Sequence, residues 1–253
     1  MNIFISNDDG IDFEGLRSLV KAFSRLGDVY VVAPEGQRSS TSHHLTCFGK
    51  VRFEERKVEG ATKAYALWGT PADCTYLGLD LLFKDKIDLV VSGINNGLNV
   101  STDIVYSGTI AVAREAYIHH VPAMAVSLEG TKKGSYDMAG ELAAEIAKKF
   151  INDEKNKEYF LNVNIPDIYK EDIKGIKVCD DVGTIHYDNS LSIINENGID
   201  YVKINDVVVT VDAKDDLNVD ITAINNGYIA ISPLYNSHIY KEYIDHVEDI
   251  LNK

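Results

Sequence analysis

The sequence predicts a doubly wound, mostly parallel α/β sheet, on three observations. Short apolar strands alternate with amphipathic helices from the N-terminus to about residue 165. The early strands are closed by polar loops bearing glycine or proline. No internal repeat or low-complexity linker interrupts the pattern. The expected organisation is one domain over 1–253: a core over 1–170, then a C-terminal extension over 171–253 made of a β-hairpin and a helix.

Ile3, Phe4 and Ile5 form the first strand, which runs into Ser6-Asn7-Asp8-Asp9-Gly10. In a parallel sheet, ligands sit beyond the carboxyl ends of such strands. Two adjacent carboxylates there repel each other, and a bound cation relieves the repulsion. The same residues also suit an Asx-type turn or a helix cap. Leu16, Leu19, Val20, Phe23 and Leu26 keep the spacing of a core-facing helix, with Gly27 as its C-terminal cap. Val29 to Ala33 is a second strand, stopped by Pro34 and followed by the polar loop Glu35 to Ser42. Lys50 to Leu67 suggests a strand pair.

At Gly69-Thr70-Pro71-Ala72-Asp73 a helix starts sharply. Thr70 caps, Pro71 fits the first helical position and Asp73 completes a capping box. This helix is expected to reach about Phe83, with Leu77 and Leu81 on one face. Ile87 to Val91 is a third apolar strand, and Ser92 to Gly97 reads as its closing loop. After a polar loop over 98–108 come a helix from Thr109 to Ile118, a strand over Pro122 to Leu128, a helix over Ala139 to Phe150 and a strand over Phe160 to Ile165. Beyond residue 170, Leu191 to Asn195 and Ile199 to Ile204 flank Glu196-Asn197-Gly198, a strong hairpin signal. Val207 to Val211 and Tyr228 to Ser232 add strands. Ile239, Tyr243, Val247 and Ile250 give a final helix an apolar stripe, for its own core or for another subunit.

Composition excludes several classes. The 253 residues, 45% of them hydrophobic, are enough for a full core. No apolar run approaches a membrane span, and the N-terminus opens into a strand without a signal-peptide pattern. Cys47, Cys74 and Cys179 are odd in number and widely spaced, which argues against a disulfide framework and for a reducing compartment. The expectation is a soluble cytoplasmic protein. A formal charge of −14 with no basic patch argues against binding duplex DNA or RNA.

Three loops after three predicted strands carry oxygen ligands: Asp8 and Asp9, then Ser39 and Ser40, then Asn95 and Asn96. Carboxylate, hydroxyl and amide oxygens suit a hard ion such as Mg²⁺, Mn²⁺ or Ca²⁺. Taken singly, the serines fit a solvated loop and the asparagines a turn. Ser107-Gly108-Thr109 precedes a helix, where free N–H groups hold an anion or where Ser107 simply caps. His43 or His44, just after the serine loop, could be a ligand or an acid/base, though such a pair more often is simply solvated, and Arg114 fits a helix-surface or helix-core-edge partner for an acid.

Together these loops resemble the SurE-type (survival protein E) nucleotidases. The resemblance rests on Ser6 to Ile11, Ala33-Pro34 to Ser40, Gly69 to Cys74, Val91 to Gly97, Tyr106 to Ala116 and Leu161 to Pro166. It returns at Asp220 to Ala223 and Gly227 to Leu234, and departs from the family pattern between roughly 180 and 218. It implies a Rossmann-like core with a C-terminal region used for homodimer or homotetramer exchange. It also implies a phosphatase needing one divalent metal ion per subunit, Mg²⁺ or Mn²⁺. Nucleoside 5′- or 3′-monophosphates would be the substrates, with polyphosphate a further one. By position, Asp8, Asp9, Ser39 and Asn95 would hold the metal, with Asp8 and Asp9 catalytic. Asn96, Ser107, Gly108 and Thr109 would stand beside the phosphate.

Three other classes fit less well. A receiver domain needs a phosphoacceptor Asp where Asn95 stands, and about half this length. A dinucleotide-binding dehydrogenase needs Gly-x-Gly-x-x-Gly after the first strand, which is absent. A catalytically silent metal- and nucleotide-binding protein is the alternative that only an activity assay separates.

Overall fold

A computed structural model describes residues 1–84, 86–212, 214–236 and 244–251. Its centre is a nine-stranded sheet in the order β3-β4-β2-β1-β5-β6-β7-β11-β8. The strands are β1 (Asn2–Ser6), β2 (Asp28–Pro34), β3 (Phe53–Arg56), β4 (Lys63–Leu67), β5 (Leu89–Asn96), β6 (Ala123–Leu128), β7 (Phe160–Ile165), β8 (Ile176–Val178) and β11 (Ile229–Leu234). The run from β4 to β7 is parallel throughout; β3 and β11 join antiparallel to β4 and β7.

Alternation along the strands divides the core in two. Ile3 and Ile5 face the helices α1 (Glu14–Phe23) and α5 (Tyr136–Phe150). Phe4 faces α2 (Pro71–Leu77) and α4 (Gly108–Ile118). Each central strand is therefore buried on both sides, which is why these strands read as continuous apolar runs. Sequence neighbours β1 and β2 lie side by side, whereas β5 starts on the other side of β1. This reversal opens a crevice at the carboxyl ends of β1 and β5, the switch point where α/β sheets bind ligands.

The capping box at α2 forms as expected, with Thr70 accepting from the Asp73 N–H at 3.1 Å and Asp73 accepting from the Thr70 N–H at 2.9 Å. The helix continues as a π-helical turn, Gly78–Leu82. That wider turn shifts the side-chain period, so Leu79 is buried while Leu81, expected beside Leu77 on the packed face, is 70% exposed. A second difference concerns Ser92 to Asn96, expected as a loop. They extend β5, paired to β6 with a register irregularity between Ser92 and Asn95. The short helix α3 (Asp103–Tyr106) lies in the segment expected to be wholly irregular.

The C-terminal region contributes β8 and β11 to the large sheet, a short helix α6 (Asp220–Asn225) and a separate hairpin of β9 (Thr184–Glu196) and β10 (Ile199–Asp212). The hairpin is much longer than its sequence signal. Asn197 and Gly198 turn with φ of 54° and 82°, the left-handed pair that a two-residue hairpin turn requires. Val207 to Val211 belong to β10 rather than to a strand of their own. The final helix α7 spans Ile244–Leu251, with Val247 and Ile250 about half exposed (48% and 56%). Ile239 and Tyr243 of the expected stripe lie outside the described residues. No described helix is long and apolar enough to cross a membrane, and all three cysteines are free.

Candidate active site

The loop after β1 is built by Asn7. Its side chain accepts from the Gly10 N–H at 3.1 Å and donates to the Gly10 carbonyl at 2.9 Å, closing a tight turn around Asp8 and Asp9. Backbone bonds then fasten the serine loop to it: Arg38 N–H donates to the Asp8 carbonyl at 2.7 Å and Ile11 N–H to the Pro34 carbonyl at 2.8 Å. Asn95 spends its amide hydrogen on the Gly97 carbonyl at 2.9 Å, which leaves its Oδ1 as the accepting end. The result is a cleft of about 530 Å³ lined by Asp8, Asp9, Ser39, Asn95, Asn96 and Ser107. Six of the eight site residues expected from sequence thus line one cleft.

The other two, Gly108 and Thr109, sit against Asp8 rather than lining the cleft. Thr109 is fully buried, and its hydroxyl donates to Asp8 Oδ1 at 2.5 Å. A Cβ on Gly108 would stand 2.8 Å from Asp8 Cβ and 2.9 Å from Pro71 Cγ, so only glycine fits there. Ser107 caps α4, its side chain accepting from the Ile110 N–H at 3.0 Å. Of the two readings of this turn, the structure shows the cap.

Burial pushes the Asp8 carboxyl up, against the opposing pull of the Thr109 hydroxyl and of the N–H groups of Asp8, Thr109 and Gly108. Burial, then the charge of Asp8, push Asp9 up to about 6, opposed by the Asn96 N–H. Asp9 Oδ2 is buried without a hydrogen-bond partner among the described residues. Two carboxylates side by side, one with an orphaned oxygen, are the situation a cation stabilises. Among the described residues no group of three or more His, Cys, Asp or Glu forms a metal cluster. The donors available are the two carboxylates with the Ser39 hydroxyl and the Asn95 amide, an all-oxygen set that fits Mg²⁺ or Mn²⁺ and not a soft metal.

Sequence reasoning missed part of the lining. Gln37, whose amide donates to Ser39 Oγ at 3.1 Å, and Asn99, Asp103 and Tyr106 belong to the same loops as the expected residues. Tyr187 comes from β9 and donates its phenol to Asp103 Oδ1; no local signal places it there. Asn99 is held by an amide network: its N–H donates to Asn164 Oδ1 and its side chain to Ser127 Oγ, each at 2.8 Å. The expectation for His43 is corrected. Its Nε2 lies 2.6 Å from Oε2 of Glu115, whose side chain is 4% exposed, and His119 contacts the other oxygen of Glu115 at 3.4 Å. His43 thus anchors the serine loop to α4 instead of standing in solvent. Arg114 forms no ion pair among the described residues.

Fold and cleft together define an α/β protein with a cleft at the switch point of the sheet, lined by oxygen donors. Residues 3–188 match the family described as Survival protein SurE. A protein named 5′-nucleotidase SurE from Clostridium botulinum (strain ATCC 19397 / Type A) is 38% identical over 239 residues, 93% of each chain. Its namesake from the strain Alaska E43 / Type E3 is 40% identical over 241 residues, again 93% of each. The crystal structure of the SurE protein from Aquifex aeolicus superposes with a TM-score of 0.82 at 31% identity, covering 99% of this chain and 100% of that one. The chain belongs to the SurE family.

Proposed function

We propose that this protein is a divalent-metal-dependent nucleotidase that hydrolyses nucleoside monophosphates to nucleoside and phosphate. The observation that carries this reading is the convergence of three loops' oxygens on one cleft in which Asp9 Oδ2 lacks a partner among the described residues. The relatives' printed name, 5′-nucleotidase, favours 5′-monophosphates as the first substrates.

In this reading Asp8, Asp9, Ser39 and Asn95 would hold one Mg²⁺ or Mn²⁺, which would supply positive charge for the transferring phosphoryl group and lower the pKa of a water. Asn96 and Ser107, which line the cleft, would orient the phosphate, while Gly108 and Thr109, whose N–H groups act on Asp8, would position that carboxylate beside it. Thr109 fixes the Asp8 carboxylate, so Asp9 is the acid free to accept the proton of the attacking water. The water oxygen bonds to phosphorus, the ester P–O bond breaks, and the leaving nucleoside oxygen takes a proton from solvent while Asp9 gives up the one it accepted.

A test is phosphate release from a panel of nucleoside 5′- and 3′-monophosphates and short polyphosphate, with Mg²⁺, Mn²⁺ or EDTA. Release from the 5′-monophosphates that EDTA abolishes supports the reading and ranks the substrates. No release from any compound by folded, metal-loaded protein overturns it.

The C-terminal region is the proposed site of self-association as a homodimer or homotetramer. Leu191, Ile193, Val202 and Ile204 on the hairpin are each between 62% and 77% exposed, a stripe that water disfavours and a second copy would cover. Sedimentation of wild type against Ile193→Asp/Ile204→Asp tests this, with a smaller species expected for the variant.

A further inference from the structure

The cleft lining combines two chemistries: the carboxylates of Asp8 and Asp9 with hydroxyl and amide oxygens, and the larger side chains Leu98, Tyr106 and Tyr187. At about 530 Å³ the space far exceeds a phosphate group and falls in the range of small-molecule pockets, roughly 300–1,000 Å³.

Tyr187 is the wall residue that the chain goes furthest to deliver. It stands near the base of the hairpin, and that base is tied to the cleft loop. Buried Asp220 accepts from the Ser101 N–H at 2.7 Å through one oxygen and from the Gly183 N–H at 3.2 Å through the other. Thr102 adds a bond from its hydroxyl to the Ile185 carbonyl at 3.4 Å. The phenol is then held by Asp103. Tied at its hydroxyl and beside the anchored hairpin base, the residue lines the cleft and is 43% exposed. Neither Tyr187 nor Tyr106 packs against another aromatic ring among the described residues. A tied, half-exposed ring lining a cleft is suited to stacking on a planar group, and a base offers a planar face whatever its sequence of polar atoms.

We propose that Tyr187 is a specificity-determining residue whose ring packs against the nucleobase while the phosphate lies beside Asp8 and Asp9. This rests on the nucleotidase reading and adds what that reading lacks: the residue that distinguishes a nucleotide from a bare sugar phosphate.

The test compares adenosine 5′-monophosphate with ribose 5-phosphate, which has the same phosphate and sugar but no base. Wild type, Tyr187→Ala and Tyr187→Phe are assayed with Mg²⁺. Tyr187→Ala lowers the ratio of kcat/KM values for the two substrates about tenfold or more, mainly through KM for the nucleotide. Tyr187→Phe keeps the ring and restores most of the ratio. An unchanged ratio in Tyr187→Ala, including an equal loss on both substrates, overturns the proposal. If wild type turns over neither compound, the nucleotidase reading fails, and calorimetric titration of the same two compounds gives the ratio of affinities directly. A nucleotide preference that Tyr187→Ala removes then still supports the ring's role; no preference in wild type overturns it.

Discussion

Thr109 donates its hydroxyl to Asp8 Oδ1 at 2.5 Å, joining residues 101 positions apart in the sequence. Both are buried, Thr109 fully and Asp8 to 5% exposure, so this bond has no water to replace it. It is a bond to a group that carries charge in the proposed reaction, worth about 1.5–3 kcal/mol. Thr109→Val is therefore expected to lower phosphate release by roughly tenfold to a hundredfold. It should also raise the Mn²⁺ concentration needed for half-maximal rate. Thr109→Ser, which keeps the donor, should retain most of the activity. Steady-state rates across a Mn²⁺ series check both.

Gly108 is required by the approach of α4 to Asp8. The Cβ of Gly108→Ala would meet Asp8 Cβ at 2.8 Å and Pro71 Cγ at 2.9 Å. Pushing apart a packed site costs about 1–3 kcal/mol, and a displacement near 1 Å at reacting groups costs on the order of a hundredfold in rate. Activity should thus fall much further than the melting temperature suggests. Parallel thermal melts and phosphate assays on the purified variant decide the point.

His43 offers a stability test away from the carboxylates. Removing its imidazole in His43→Ala leaves Glu115 Oε2 without the partner it now has at 2.6 Å. An unsatisfied buried group costs about 1–3 kcal/mol, and Tm in a chain of this size falls roughly 2–4 °C per kcal/mol. Asparagine at position 43 should recover part of the loss. A Tm equal to wild type in both would show that the pair does not hold the serine loop.

Asp167 links stability to pH. Burial raises its pKa, but the N–H groups of Gly134, Lys133 and Lys132 outweigh that and hold the carboxyl below its ordinary range. A folded pKa below the unfolded one means the stabilisation is present above the unfolded value, about 3.9, and is lost as pH falls through the folded value. Asp167→Asn should consequently be less stable than wild type at pH 7, with the gap closing near pH 3. Urea unfolding at the two pH values measures it.

Much of this architecture was legible because local and global signals agree. Phe160 to Ile165 forms β7 with the bounds its apolar run predicts, and Thr70 and Asp73 make the capping box their spacing announces. The less legible parts are set by tertiary contacts. Ser92 to Asn96 look like a turn from composition, yet pairing with β6 carries them on as strand. His43 carries no local sign of Glu115, 72 residues away. Tyr187 reaches the cleft only because Asp220 ties the hairpin base to Ser101. By contrast Asp8, Ser39 and Asn95 could be grouped from sequence, since each follows or ends a strand of one parallel sheet and such ends converge.

The central claim is that Asp8 and Asp9 hold a divalent ion on which phosphate-ester hydrolysis depends. The most direct measurement is phosphate release from adenosine 5′-monophosphate by wild type with Mn²⁺, wild type with EDTA, and Asp9→Asn with Mn²⁺. The account predicts release in the first case, none with EDTA, and a loss of at least about a hundredfold in Asp9→Asn, because the ion's contribution is several kcal/mol. Release that persists in EDTA, or an Asp9→Asn rate equal to wild type, would contradict it.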